Sequence, residues 1–488
     1  MNTQRTDATP SRMLLWALAV FVLARLVTLV FYPLMDTSEA RYADIARRMV
    51  ERSDWITPWF TDDQPFWGKP PLSFWATALG FKLFGLNEFG ARVPQLILAA
   101  AVGAAVWFHA RYHSSRAAWH ALALLSGCIL FMVSAGAVIT DMALALGTTL
   151  VMVGFWGAMR DDDPHGRRSQ LIMALGFIIG LLAKGPVALV LCCVPIGAWL
   201  LWYRRLHMAW RRIAWLRGTL LVLVVSLPWY MMAEHRTPGF LNYFLVGEHW
   251  HRFVTAGWTG DKYGSAHAFT RGGIWYFALV AVLPWPLLLT LLAVIRRRQG
   301  GRPASGGMSD GYHGYLLLWG LWPCVFFTMS GNILWTYVLP ALPALAILVA
   351  QWTSQPSMDK RAEWILVAGV WVSTAMLIVW VGWILNSGYT TEKSAKSLVM
   401  DYRAQAQPGE PLLFLGEVPF SGSFYSDGRA QRLADLTELI TKPPGTSVLV
   451  VMSLDELNAV PQEMRDQFRE VARRGQRVLM RWRPDAVS

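Results

Sequence analysis

The chain has 488 residues, of which 54% are hydrophobic and only 16% charged. With a mean hydropathy of +0.34, it carries more apolar surface than a soluble fold can hide, which places it among polytopic membrane proteins. The formal charge of +12 does not point to nucleic acid. The excess sits in short loops such as Tyr203-Arg204-Arg205, Arg211-Arg212 and Arg296-Arg297-Arg298, the positive-inside pattern that orients a membrane protein.

The first apolar run, Met13 to Pro33, is long enough to span a bilayer at about 1.5 Å per residue. No small-residue cleavage site follows it, so it reads as a retained helix and not as a signal peptide. Further spans are expected near 90–110, 117–138, 142–159, 169–183, 186–203, 213–233, 272–295, 312–330, 333–352 and 363–385. With the N-terminus in the cytoplasm, the loops bearing Arg111/Arg116, Arg167/Arg168, Arg204–Arg212, Arg296–Arg302 and Lys360/Arg361 all fall inside. The odd number of crossings leaves the C-terminal segment outside. Cys128, Cys192, Cys193 and Cys324 all lie within apolar segments, so neither a disulfide framework nor a Cys-type zinc site is expected.

Two outer loops are long. In residues 34–89, Tyr42, Ile45, Ala46 and Met49 recur at helical spacing, with Arg41, Asp44, Arg47 and Arg48 elsewhere. That pattern predicts a short interfacial helix over Ser38 to Glu51. Pro71 to Phe84 is apolar with both ends outside, hence interfacial or re-entrant. The second outer loop, 234–271, collects His235, Glu248, His249, His251, Arg252, Asp261, Lys262, His267 and Arg271. After about residue 388 Pro, Gly and charge return and the spans stop. Pro411–Leu415, Ser447–Met452 and Val478–Trp482 read as strands, and Leu454 to Arg474 has helical periodicity. The division expected is a membrane domain over 1–388 and an outer α/β domain over 389–488.

Several residues on the outer side could carry chemistry. Asp36 is placed either as the N-cap of a capping box with Glu39 or as a base, beside Arg41 and Tyr42. Lys69 precedes Pro70-Pro71 on stiff backbone; it is either a snorkelling lysine or a partner for a lipid phosphate. Lys184, at the end of a span, carries the same two readings. Asp141 sits among apolar residues with no basic neighbour in sequence. It is a helix N-cap or a functional carboxylate, which such a setting makes the default. His249 and His251 form a His-x-His pair, a weak metal signal, and Tyr337 opens a helix where an interfacial belt tyrosine also fits. Together they suit a sugar carried on a polyprenyl phosphate. Lys69 and Arg41 would stabilise the leaving phosphate, and Asp36 or Asp141 would take the proton of the incoming hydroxyl. No Rossmann fingerprint or P-loop is present, which disfavours a nucleotide-sugar donor.

The runs Ser38-Glu39-Ala40-Arg41-Tyr42-Ala43-Asp44-Ile45-Ala46, Asp54-Trp55-Ile56-Thr57-Pro58, Gly68-Lys69-Pro70-Pro71-Leu72-Ser73-Phe74-Trp75 and Phe84-Gly85-Leu86-Asn87-Glu88-Phe89, with Ala91-Arg92, resemble the bacterial aminoarabinose transferases of lipid A. That family is related to protein O-mannosyltransferases. The likeness recurs more loosely at Asp141-Met142, Lys184-Gly185, Glu248-His249-Trp250-His251-Arg252-Phe253 and Tyr337-Val338-Leu339-Pro340. It implies a GT-C fold of about 11–13 transmembrane helices with interfacial helices and a small periplasmic α/β domain. It also implies an inner-membrane glycosyltransferase with its active site on the periplasmic face.

Carried over residue by residue, the resemblance makes Asp36 and Asp141 catalytic candidates. Glu39, Arg41, Tyr42, Lys69, Lys184, His249, Arg252 and Tyr337 become substrate-binding candidates, with Lys69 and Tyr337 near the lipid phosphate. The partners implied are a polyprenyl-phosphate sugar, a lipid A, glycan or protein acceptor, and membrane lipids. Two positions depart from the family. Ser38 stands where an aspartate is usual, which Asp36 would replace. Gly68 stands where the family often has a glutamate proposed as a metal ligand, so no cofactor is expected with certainty and a divalent metal is disfavoured. A protein O-glycosyltransferase using the same donor is the alternative. A lipid-linked-sugar transporter is disfavoured because the charges crowd one edge of the bundle and no repeat is seen. A glycan sensor anchored by the bundle is a third class.

Overall fold

The computed structural model describes residues 11–160, 166–264, 267–298, 311–355, 358, 360–440 and 447–483. Arg302, at the end of one expected basic loop, lies outside them. The expected spans emerge as helices in order, beginning with α1 (Arg12–Thr28). The long loop after it then supplies α2 (Ser38–Arg52) and α3 (Leu72–Phe84), and α4 (Glu88–Arg111) returns into the bundle. Among the described residues six helices are long and apolar enough to cross a membrane. The pair Ile274–Ala281 and Trp285–Ile295, bent by 68°, makes a seventh if it is counted as one span. The other expected spans are shorter helices of 16 or 17 residues (α1, Val187–Trp202, Tyr312–Thr328) or the broken pair Ser115–Gly127 and Ile129–Ser134.

One helical hairpin sets up the site. The helices Asp141–Met159 and Gly166–Lys184 run antiparallel with their backbones almost touching. A Cβ on Gly147 would lie 2.6 Å from the Gly180 nitrogen, and one on Gly176 would lie 2.5 Å from the Val151 nitrogen. Small residues permit this approach, as in other membrane helix pairs. Because the first residue of one helix and the last of the other share an end, the hairpin delivers Asp141 and Lys184 to the same place.

The C-terminal part is a five-stranded sheet ordered β2-β1-β3-β5-β4. Its strands are β1 (Leu412–Leu415), β2 (Gln431–Leu433), β3 (Val448–Ser453), β4 (Phe468–Arg474) and β5 (Arg477–Trp482). β1 pairs in parallel with β2 and β3, whereas β5 is antiparallel to β3 and β4. The helical reading of Leu454 to Arg474 holds only for Leu454–Ala459 and Gln462–Arg465. Beyond them β4 forms instead, because the turn at Gly475 (φ 57°) folds it back on β5.

This module is not a free appendage. Ala40, Ala43 and Ala46 of α2 share one apolar cluster with Phe81 of α3 and with Leu398, Phe414, Phe424, Leu449 and Leu479 of the module. The polar side of α2, expected to face the membrane surface, is therefore buried. Asp44 is 1% exposed and Arg47 2%. Asp44 pairs with Arg47 at 2.8 Å and Arg48 at 3.2 Å, and Ser423 accepts a hydrogen bond from Arg48 at 3.2 Å. The expected capping box is also absent. Thr37 precedes α2 without a side-chain cap bond, since both acids are committed elsewhere.

Candidate active site

Two cavities meet beneath the two long loops, 34–89 and 234–271. The first, of about 360 Å³, is a mostly apolar groove walled by Leu144, Val187, Val190, Leu191, Phe253, Phe326 and Phe327. The second, of about 440 Å³, is polar and lined by Arg41, Tyr42, Asp141, Asp261, Lys262, His267, Glu417 and Phe420 among others. Lys69, Lys184, Glu248, Arg252 and Tyr337 line both. Three cations and a phenol thus stand where an apolar slot opens into a polar chamber.

At this junction Lys184 Nζ donates to Asp141 Oδ1 at 2.6 Å and sits 4.6 Å from the centre of the Tyr337 ring. Tyr337 is held by Phe327, with ring centres 4.5 Å apart. Lys69 donates to its neighbour's carbonyl on Gly68 at 2.6 Å and to Glu248 at 3.0 Å. Arg252 donates to both oxygens of Glu248 at 3.1 Å and lies 3.3 Å from Asp261. Burial pushes the Glu248 carboxyl up, but Lys69 and then Arg252 outweigh it and hold the group below its ordinary range.

Glu248 and His249 ride on a π-helical segment, Tyr243–His251, a form that often marks functional sites. His249 points its ring nitrogens at the carbonyls of Phe244 (2.7 Å) and Lys184 (3.1 Å). Burial nevertheless keeps its imidazole below the ordinary histidine range. It lines the apolar groove and not the polar chamber. Arg41 donates to the Tyr263 carbonyl, and its guanidinium lies 5.2 Å from the Tyr42 ring and 5.9 Å from Phe420.

Of the ten residues singled out from sequence, Arg41, Tyr42, Lys69, Asp141, Lys184, Arg252 and Tyr337 line the polar chamber. Asp36 and Glu39 line neither cavity. The Asp36 carboxylate accepts from the backbone N–H of Ser421 at 3.0 Å and from its hydroxyl. Burial pushes its pKa up against those two bonds. Glu39 is a structural clamp: it accepts two hydrogen bonds at 2.8 Å from Arg92, which is fully buried and also tied to the carbonyls of Leu29, Tyr32 and Pro33. Sequence reasoning did not select Phe60, Phe66, Tyr263, Glu417 or Phe420, which also line the chamber. The first three sit near motifs already singled out. Glu417 and Phe420 come from the distant sheet module and carry no local signal.

Among the described residues no three His, Cys, Asp or Glu side chains gather as a metal site. Gly68 offers no ligand, and a Cβ there would lie 2.8 Å from the Phe66 ring. The Glu248 oxygens already serve Lys69 and Arg252.

The profile of the Dolichyl-phosphate-mannose-protein mannosyltransferase family matches residues 11–244. An undecaprenyl phosphate-alpha-4-amino-4-deoxy-L-arabinose arabinosyl transferase from Pseudomonas fluorescens (strain Pf0-1) is 30% identical over 70% of this chain and 58% of its own. One from Pseudomonas savastanoi pv. phaseolicola is 31% identical over 72% and 63%. The chain is similar to the aminoarabinose transferases over about seven-tenths of its length. It spans about three-fifths of the length of these aminoarabinose transferases. The fold agrees: the crystal structure of ArnT from Cupriavidus metallidurans bound to undecaprenyl phosphate superposes with a TM-score of 0.77 at 20% identity, covering 96% of this chain and 97% of the other. The architecture is therefore that fold, a multi-span helical bundle with a small C-terminal sheet.

Proposed function

We propose that this chain is an inner-membrane glycosyltransferase that moves 4-amino-4-deoxy-L-arabinose from undecaprenyl phosphate to lipid A on the periplasmic face. The sugar and carrier follow the names of the relatives, and the acceptor follows the family resemblance. The observation that carries the reading is the junction itself. An amphipathic donor needs an apolar slot for its tail, cations at the phosphate and a polar chamber for its sugar. Lys69, Lys184, Arg252 and Tyr337 stand at the boundary between two such spaces.

The donor phosphate enters beside Lys69, Lys184 and Arg252. Its arrival draws Lys184 toward the phosphate and loosens the 2.6 Å pair with Asp141. Asp141 then takes the acceptor hydroxyl proton as the acceptor oxygen attacks the anomeric carbon. The bond from that carbon to the phosphate oxygen breaks, and the released polyprenyl phosphate keeps the electron pair, stabilised by the same cations. Asp36, turned toward Ser421, acts as a positioning residue. Incubating the purified protein with several polyprenyl-phosphate sugars and identifying the products tests the reading. Failure to release polyprenyl phosphate from any of them refutes it.

The match to the protein mannosyltransferase profile favours one second reading, transfer from the same donor class to a protein hydroxyl. Mass spectrometry of lipid A and of envelope proteins from a deletion strain separates the two acceptors.

A further inference from the structure

We infer that Glu417, supplied by the C-terminal sheet module, is the residue that selects a cationic amino group on the transferred sugar. This rests on the glycosyltransferase reading above and assigns a specificity role to a part of the chain that the transfer chemistry leaves idle.

Glu417 lies in the loop that leaves β1, just after Gly416, whose φ of 78° turns the chain and whose N–H donates to the Leu433 carbonyl at 2.9 Å. Loops at the carboxyl ends of parallel strands are common ligand sites, and β1 is parallel to both its neighbours. The loop is fixed in place by the helix that follows it, Phe420–Tyr425. Ser421 bonds Asp36, Ser423 accepts from Arg48 at 3.2 Å, and the Tyr425 hydroxyl donates to Glu88 at 2.8 Å. Phe420 packs on Phe60, with ring centres 5.3 Å apart. An aromatic surface and a carboxylate are thus held together over the polar chamber.

The charges of that chamber single out one acid. Asp141 pairs with Lys184 at 2.6 Å, Glu248 with Lys69 at 3.0 Å, and Asp261 with Arg252 at 3.3 Å. Glu417, the fourth carboxylate of the lining, is exposed and has no ion pair or hydrogen bond among the described residues. A chamber that must accept phosphate gains nothing from an unpaired carboxylate. A ligand that carries a phosphate at one end and an ammonium at the other does gain. An aliphatic amine is protonated at neutral pH, as a lysine is, and an ammonium–carboxylate hydrogen bond is about twice as strong as a neutral one. Glu417 therefore favours the amino sugar over its hydroxyl counterpart.

The test compares two undecaprenyl-phosphate donors, one bearing 4-amino-4-deoxy-L-arabinose and one bearing L-arabinose, on the full-length protein in nanodiscs. The unaltered protein should prefer the amino donor in kcat/KM. Glu417→Gln should lower that preference by about tenfold, and Glu417→Asp should keep part of it. A preference within twofold of the unaltered protein's in Glu417→Gln overturns the inference, as does an unaltered protein with no preference. If the unaltered protein transfers neither sugar, the glycosyltransferase reading itself fails. The same two donors are then compared by equilibrium binding, where a tenfold loss of preference supports the role of Glu417 and an unchanged preference removes it.

Discussion

Replacing Asp141 by asparagine removes one half of a buried ion pair while barely changing side-chain volume. Asp141 is 7% exposed and Lys184 9%, and at 2.6 Å an effective dielectric of about 20 gives an attraction of about 6 kcal/mol. Desolvation offsets most of that in the intact pair. Breaking such a pair from one side typically costs ~3–5 kcal/mol, because the remaining charge is stranded. Here the cost should fall at the lower end, about 3 kcal/mol, since the polar chamber borders the pair and Lys184 keeps the Tyr337 ring 4.6 Å away. Loss of the base should lower kcat by about 10²–10⁴-fold. Thermal unfolding in detergent and a product assay by mass spectrometry read the two effects separately. The double variant Asp141→Asn with Lys184→Met removes the stranded charge, so stability should recover while transfer stays low. Turnover by Asp141→Asn within threefold of the unaltered protein would refute the assignment of the base. Recovery of transfer in the double variant would show that only stability had been lost.

Lys69→Gln should raise KM for the lipid donor and lower kcat/KM by about 10²-fold through loss of a phosphate contact; an effect under threefold in steady-state kinetics would remove it from the site. Ser421→Ala deletes a hydrogen bond to the Asp36 carboxylate and should cost about 1.5–3 kcal/mol in docking of the sheet module, seen as faster hydrogen exchange over 396–440. Asp36→Asn should resemble it, raising KM more than it lowers kcat; a lost kcat with the module still protected would make Asp36 the base. His267 is held below its ordinary range by burial, then by the charges of Arg252 and Arg41. Its neutral form is thus the one the fold favours. The stability it contributes is present above about pH 6.5 and lost as pH falls through its lowered folded-state value. The unfolding midpoint should drop between pH 7 and pH 5, and the drop should shrink in His267→Gln; an unchanged slope would contradict the sign.

Hydropathy and loop charge made the helical bundle readable from sequence, because the bilayer forces both into long, regular signals. The α2 helix was readable for a similar reason, from the spacing of Tyr42, Ile45 and Met49. What covers its polar side was not. Asp44, Arg47 and Arg48 look like headgroup-facing charges until Ser423, more than three hundred residues away, closes over them. The same blindness placed Asp36 in a capping box. Locally the pattern Asp36-Thr37-Ser38-Glu39 is complete, but Ser421 and Arg92 are stronger partners that only tertiary structure supplies. In the sheet module, the helical reading of 468–474 failed because strand pairing decided the backbone, as it often does against local preference. Seven of the ten residues singled out line the polar chamber, and they sit in dense motifs or at the ends of spans. Glu417 and Phe420 sit in neither, so their place in the chamber had to come from the fold.

The most direct test of the account is a structure of the protein with undecaprenyl phosphate bound in a lipid environment. Its phosphate should lie within hydrogen-bond distance of at least two of Lys69, Lys184 and Arg252, with the first isoprene units running between Val187, Leu191 and Phe326. A phosphate bound away from all three cations, or a tail that avoids this groove, would contradict it.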